Sequence, residues 1–205
     1  MARSDSVRNR ARLIEAAREV FAERGFEATL DDIARHAGLG TGTAYRHFPN
    51  KRAIAAEVLT EATEQIVADA RESLSVDDPW TALTGFFTRT GARQARDRGL
   101  YETLTGQGDQ AEQERIWPEI IAAVTELFQR AQRAGVVRAD AAPQDIAAIF
   151  ALLGPAFAMS RTSGPDLWRR YLALVLDGLR ATDRPELPAP PPPLADLRTI
   201  LRAGK

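Results

Sequence analysis

Thr41, Gly42, Thr43, Tyr45, Arg46, His47 and Lys51 place hydrogen-bond donors of different reach within one short stretch, and Pro49 halts the helix that carries most of them. Two short hydroxyls flank a glycine, an aromatic hydroxyl follows, and three basic side chains of unequal length complete the set. No carboxylate, thiol or nucleophile–base pair lies among them, so the stretch does not read as a catalytic centre. Its chemistry suits phosphate and base-edge recognition. Hydroxyls and cations bind phosphate oxygens, and short side chains near a helix N-terminus reach base edges in a groove. Gly42 lets backbone come close to such a partner.

The rest of the composition narrows the function classes. The chain has 205 residues, 44% apolar and 27% charged, ordinary values for a globular protein. It has no cysteine, so disulfides and thiolate metal sites are excluded. Its two histidines, His36 and His47, lie near the N-terminus, and Lys205 is the sole lysine after Lys51. Histidine acid–base chemistry is therefore unavailable to the larger part of the chain. No metal-ligand cluster and no phosphate-cradling glycine loop is present, so neither enzymatic activity nor a cofactor is expected. No apolar run approaches the ~18–20 residues of a membrane span. The N-terminus holds no continuous hydrophobic stretch. The expected setting is cytoplasmic, without a membrane partner. Net charge is −1, but residues 1–52 hold 10 Lys+Arg against 7 Asp+Glu, a net of +3, which leaves −4 for the remainder. Such asymmetry points to a nucleic-acid-facing end.

Three short helices must position the donor-rich stretch. Val7, Ala11, Ile14, Ala17, Val20 and Phe21 recur at helical spacing up to Arg24, and Gly25 stands where a left-handed cap belongs. Thr29 opens a second helix as its N-cap, with Asp32 completing a capping box, and Gly38 ends it. The third helix runs from about Thr41 to Phe48, with Phe48 inward and the Tyr45 hydroxyl outward. Asn50 then caps a fourth helix from Lys51 to about Leu74. Two short helices joined by a glycine-containing turn form a helix-turn-helix, whose second helix enters the DNA major groove. Arg3, Arg8, Arg10 and Arg12 fit either phosphate tracking or a solvated helix face. His36 reads as surface decoration.

The segment "TLDDIARHAGLGTGTAYRHFPNKRAIAAEVL", with "RLIEAAREVFAERGFEATL" before it, resembles the signature of the TetR family of bacterial transcriptional regulators, over about residues 8–60. Relatives often carry a basic residue at the place of Thr41 and a bulkier aliphatic at that of Ala44. The resemblance implies an all-α protein: a three-helix helix-turn-helix head, then a larger helical effector-binding and dimerisation domain. It implies DNA contacts from Thr29, Thr41, Gly42, Thr43, Tyr45, Arg46, His47 and Lys51, and a near-palindromic double-stranded operator read by a homodimer. It also implies an unknown small-molecule effector that lowers DNA affinity.

Boundaries are expected at 1–50 for the head, 51–183 for the effector domain, and 184–205 for a proline-rich segment with a short terminal helix. About six helices are expected after Leu74. Asp78 and Pro79 start one that reaches Arg96, with Leu83, Phe86, Phe87 and Thr90 inward. Trp117 or Pro118 starts another that ends at Gly135. Pro143 starts a nearly all-apolar one, kinked at Gly154-Pro155, and a last long helix follows Gly164-Pro165. Two of these, Ile146–Met159 and Leu172–Leu179, are too apolar for an open surface. In relatives the last two long helices form the dimer seam. Phe87, Tyr101, Trp117, Ile121 and Phe150 fall on helices that surround the effector cavity in relatives, which suits an apolar or aromatic ligand, with Tyr101, Glu102 and Gln107 as polar anchors. "RPELPAPPPP" reads as a stiff extended spacer. The reading is a DNA-binding regulator, a repressor by family habit. The alternative is a helical small-molecule-binding protein whose head is vestigial.

Overall fold

A computed structural model describes residues 2–104, 110–182 and 185–193, with side chains throughout except at 2–4, 110–116 and 163. Helix α1 spans Ala2–Arg24, followed by a 3-10 turn at Gly25–Glu27, α2 at Leu30–His36, α3 at Thr41–His47 and α4 at Lys51–Ser73. The second part holds α5 (Pro79–Arg96), α6 (Arg98–Leu104), α7 (Gln110–Arg133), α8 (Asp145–Leu152), α9 (Gly154–Ser163) and α10 (Leu167–Leu179). Among the described residues there is no strand, only an isolated antiparallel bridge between Val137 and Arg180.

Local chemistry sets most boundaries. The Thr29 hydroxyl accepts from Asp32 N at 3.1 Å, and the Asp32 carboxylate accepts from Thr29 N at 3.0 Å, a closed capping box. Asn50 Oδ1 accepts from Ala53 N at 3.0 Å, and Asp78 Oδ1 from Thr81 N at 2.8 Å, with Pro79 in the first turn. Gly25, Gly38 and Gly135 follow α1, α2 and α7 with positive φ.

Four elements depart from the sequence reading, each because packing outweighs a local signal. The buried stripe of α1 is Leu13, Ala16, Ala17, Val20 and Phe21; Val7 is 67% exposed, because the first turns of α1 run past the core. Helix α7 begins at Gln110 and carries Pro118 in its interior. Burial of Trp117, Ile120, Ala123 and Val124 holds it through the one hydrogen bond that proline removes. The apolar run after Pro143 splits at Leu153 into α8 and α9, with Pro155 in the first turn of α9. The window Asp145–Thr162 does reach the length and hydropathy of a membrane span, contrary to the expectation of none. It is broken at Leu153 and half buried inside the protein, so about half of the window serves the core.

Among the described residues two large hydrophobic cores result, with a small third cluster of Trp117, Ile121, Ala147 and Ala151. One joins Leu13–Phe21 of α1, Leu30–Ala34 of α2, Ala44 of α3, Phe48, and Ile54–Leu59 of α4. The other begins at Ile66 on α4 and takes in α5 to α10. A cut at residue 50 would therefore pass through the first core, because α4 belongs to both. Between residues 185 and 193 the proline-rich segment folds back: Arg138 donates to Pro185 O at 2.9 Å, Asp140 accepts from Leu187 N at 2.7 Å, and Gln144 donates to Pro192 O at 3.1 Å. The expected terminal helix after residue 193 lies outside the described residues, as do Gln107 and the side chain of Arg3.

Candidate nucleic-acid interface and ligand cavity

Helix α3 is seated by Ala44, fully buried, and by Phe48 just after it, 2% exposed. That seating turns Thr41, Gly42 and Tyr45 outward, Tyr45 to 52% exposure. A Cβ at Gly42 would meet nothing within 4 Å, so this backbone is open to an approaching surface. Arg46 folds back along its own helix: Nε donates to Gly42 O at 3.1 Å and a terminal nitrogen to Thr43 Oγ1 at 3.0 Å. The guanidinium is thereby carried to the N-terminal turn, beside the threonine hydroxyl. His47 is half-buried at the other end.

Thr29 keeps the capping role that the sequence predicts, and Lys51 has a use that the motif did not reveal. The Thr29 hydroxyl is engaged by Asp32 in the capping box. Lys51 Nζ donates to Phe26 O at 2.5 Å, tying the start of α4 to the turn after α1. Much of the head's basic charge is also paired internally. Arg10 bonds Glu57 and lies 5.1 Å over the Phe48 ring, Arg18 bonds Glu61, and Arg8 pairs with Asp5 at 2.5 Å. Arg12 donates to Ala37 O at 2.6 Å, and His36 pairs with Glu19 at 2.5 Å. Arg10 and Arg12 thus brace α1 against α4 and the end of α2.

The second core holds a cavity of about 40 Å³, partly open to solvent. Its walls are Ile66 from α4, Phe86 from α5, Leu104 from α6, Trp117, Ile120, Ile121 and Val124 from α7, and Ile146 and Phe150 from α8. Of the five expected cavity residues, Trp117, Ile121 and Phe150 meet there. Phe87 does not line it: fully buried, it stacks behind Phe150 with ring centroids 5.3 Å apart. Tyr101 does not line it either. Its ring packs edge-on to Phe157 and its hydroxyl donates to Ala151 O at 3.3 Å, beside Gly154, where a Cβ would stand 1.8 Å from Tyr101 Oη. The turn between α8 and α9 claims that side chain.

Glu102, expected as a ligand anchor, instead holds the head to the body. Its carboxylate accepts from Phe26 N at 2.8 Å and from Arg98 Nε at 2.7 Å, and fills the space that a side chain at Gly25 would need. Sequence reasoning missed Gln94, which with Thr90 supplies the polar lining. Its signal was present: Leu83, Phe87, Thr90 and Gln94 continue one buried stripe of α5. Leaving a buried polar group unpaired costs about 1–3 kcal/mol, and neither the Thr90 hydroxyl nor the Gln94 amide oxygen has a partner.

A helix-turn-helix head with an open third helix, joined by one long helix to a cavity-bearing helical bundle, defines a DNA-binding class of protein. The family description "Bacterial regulatory proteins, tetR family" matches residues 13–58, and "Transcriptional regulator SbtR-like, C-terminal domain" matches residues 78–181. The TetR transcription regulatory protein from Mycobacterium vanbaalenii is 35% identical, with a TM-score of 0.56, covering 88% of this chain and 99% of that one. The TetR transcriptional regulator SCO0520 from Streptomyces coelicolor is 32% identical, with a TM-score of 0.60, covering 84% and 99%. The HTH-type transcriptional regulator TtgW of Pseudomonas putida, a protein described as uncharacterized, is 36% identical over 81 residues, 39% of this chain and 60% of that protein. The match thus spans less than two thirds of that curated relative. The chain belongs to the TetR family of bacterial regulatory proteins.

Proposed function

We propose that the protein is a cytoplasmic, homodimeric transcriptional repressor that binds a near-palindromic operator and leaves it when a small apolar or aromatic effector occupies the cavity. The observation that carries this reading is the exposed N-terminal turn of α3 on a head with its own packed core. Thr41 and Thr43 take the base edges. Gly42, Tyr45, Arg46 and His47 take the flanking phosphates. Thr29 and Lys51 hold the frame, and Lys51 keeps two further donors for a phosphate.

A partner copy gives the exposed apolar groups of the last helices a place to go. Leu152 is 76% exposed, Leu174 62%, Met159 47% and Tyr171 39%, all on α8 to α10. A two-fold dimer also spaces two heads about one helical turn of DNA apart. No catalytic step is assigned to the chain.

The test is a fluorescence-anisotropy titration of the intact dimer against the DNA upstream of its own coding region, at several salt concentrations. Salt-sensitive binding to one fragment is expected. Tyr45→Phe and Arg46→Ala should weaken all fragments about equally, whereas Thr41→Ala or Thr43→Ala should change which sequence is preferred, each base contact carrying ~1–3 kcal/mol. An intact dimer with no salt-sensitive DNA binding sinks the repressor reading and favours a binding protein with a vestigial head.

A further inference from the structure

Helical hydroxyls inside this protein follow one habit. Those of Thr63, Ser73, Thr84, Thr88, Thr103 and Ser160 each donate to the carbonyl oxygen four residues back, at 2.6–2.9 Å. Thr90 breaks it. It is 3% exposed on α5, and its hydroxyl has no partner at all. One turn further along the same face, Gln94 is 1% exposed and its amide oxygen is equally unpaired. Both residues line the cavity, between the aromatic walls of Phe86, Trp117 and Phe150. Valine and leucine would pack α5 equally well without an orphaned group, so the fold alone gives no reason for this pair.

We propose that Thr90 and Gln94 recognise the polar end of the effector, and that the effector is an uncharged hydroxyl compound on an apolar body, of the alkylphenol type. The proposal rests on the cavity being the effector site. Residues four apart on a helix hold their Cβ atoms about 5–6 Å apart, close enough for one oxygen to reach both side chains at ordinary hydrogen-bond length. A hydroxyl satisfies the two together: it donates to Gln94 Oε1 and accepts from the Thr90 hydroxyl. A ketone or ether accepts from Thr90 but leaves the Gln94 oxygen unpaired. A carboxylate or ammonium would bring a charge against walls that, among the described residues, hold no counter-charge. The aromatic walls suit a flat ring behind the hydroxyl.

The experiment titrates 4-pentylphenol, 4-pentylanisole, pentylbenzene and 4-pentylbenzoate into the full-length protein by calorimetry, on wild type, Thr90→Val and Gln94→Leu. Wild type should bind the phenol roughly tenfold more tightly than the anisole, the discrimination of one buried hydrogen bond, should bind pentylbenzene more weakly than the anisole, and should not saturate with the benzoate. In Gln94→Leu the phenol-to-anisole ratio should fall to about one, with pentylbenzene binding retained; Thr90→Val should keep that ratio but weaken phenol and anisole alike relative to pentylbenzene. Without ligand, both variants should melt at or above the wild-type temperature, because neither orphaned group holds the fold. A folded Gln94→Leu protein that binds yet keeps the wild-type phenol-to-anisole ratio, or a folded Thr90→Val protein that binds all three uncharged probes as wild type does, would overturn the assignment while leaving the cavity as effector site. Wild type binding phenol and pentylbenzene equally, or saturating with the benzoate, overturns it as well. Loss of folding in both variants would give the pair a structural role and overturn it. If none of the four probes binds wild type, the effector is not of the alkylphenol type and this proposal falls, whereas the effector reading stands or falls with the DNA titration.

Discussion

Asp32 does two jobs through one carboxylate. It closes the capping box of α2 and receives Arg24 at 3.2 Å. The Thr29 hydroxyl and amide, more than that arginine, hold its carboxyl at about 2, below the usual 3.8. A carboxyl lowered on folding gives stability that is fully present above its unfolded value and is lost as pH falls through its folded value. Denaturation by urea should therefore become easier between about pH 4 and pH 2. Asp140, held well below the usual carboxylate range by the Arg138 guanidinium and the Leu187 amide, adds in the same direction. Thr29→Ala should cost about 1 kcal/mol at neutral pH and flatten the Asp32 share of the acid loss. An unchanged acid profile would show that the box is not what lowers that carboxyl. Lys51 offers a second check. With Nζ on Phe26 O, Lys51→Met should lower stability by about 1.5–3 kcal/mol, as loss of a charged hydrogen bond does. If it also contacts a phosphate, the log–log salt slope of DNA binding should drop by about one. A variant with wild-type stability would mean that the brace contributes nothing.

At the scale of elements, α6 is the short piece through which the body touches the head. It packs on α1, presents Glu102 to the Gly25–Phe26 turn, and places Leu104 in the cavity wall. Gly25 has φ +62, and a Cβ there would stand 2.5 Å from the Glu102 carboxylate oxygens. Gly25→Ala should thus cost about 1 kcal/mol or more for the left-handed backbone alone and should also dislodge the carboxylate. Glu102→Ala leaves the Phe26 N–H without its acceptor, for a loss of about 1–3 kcal/mol. Chemical denaturation of both single variants and the double would decide it. Additive losses would show that the glycine and the glutamate are independent, and less than additive losses that they form one contact. Long α4 is tied to α5 by Asp69, which takes Arg93 Nε at 3.0 Å, and α5 carries Phe86, Thr90 and Gln94 of the cavity wall.

For the whole molecule the consequence is linkage. On the repressor reading proposed above, effector and operator should weaken each other's binding by the same factor, typically 1–3 kcal/mol of coupling. Operator affinity measured with and without a binding probe must therefore match probe affinity measured with and without operator. The dimer is the other molecular property. Leu174→Glu places a charge in the exposed apolar patch of α10 and should yield monomers by analytical ultracentrifugation. Operator affinity should drop by roughly two orders of magnitude or more, since the second half-site no longer adds to the first. A dimeric Leu174→Glu protein with wild-type DNA affinity would move the seam elsewhere.

Much of this was legible in the sequence because it is local. Caps at Thr29, Asn50 and Asp78, the glycine ends at Gly25, Gly38 and Gly135, and the family motif around Tyr45 each depend on residues within a turn or two of one another. Those signals specified the helix order, the all-α class and the exposed third helix. What tertiary structure alone decided involves partners far apart in the chain. Pro118 reads as a helix start, yet burial on both sides carries α7 through it. Tyr101 reads as a cavity aromatic until the carbonyl of Ala151, fifty residues away, takes its hydroxyl. Glu102 and Lys51 read as ligand and DNA groups, but both are drawn to the same dipeptide unit of Phe26, one by its N–H and the other by its carbonyl. Thr90 and Gln94 look like ordinary polar positions on an amphipathic helix, and only the closing of α7 and α8 over them removes water from their oxygens. Spacing along a chain specifies which side chains share a face; which of them end without water or a partner is settled by what packs against that face.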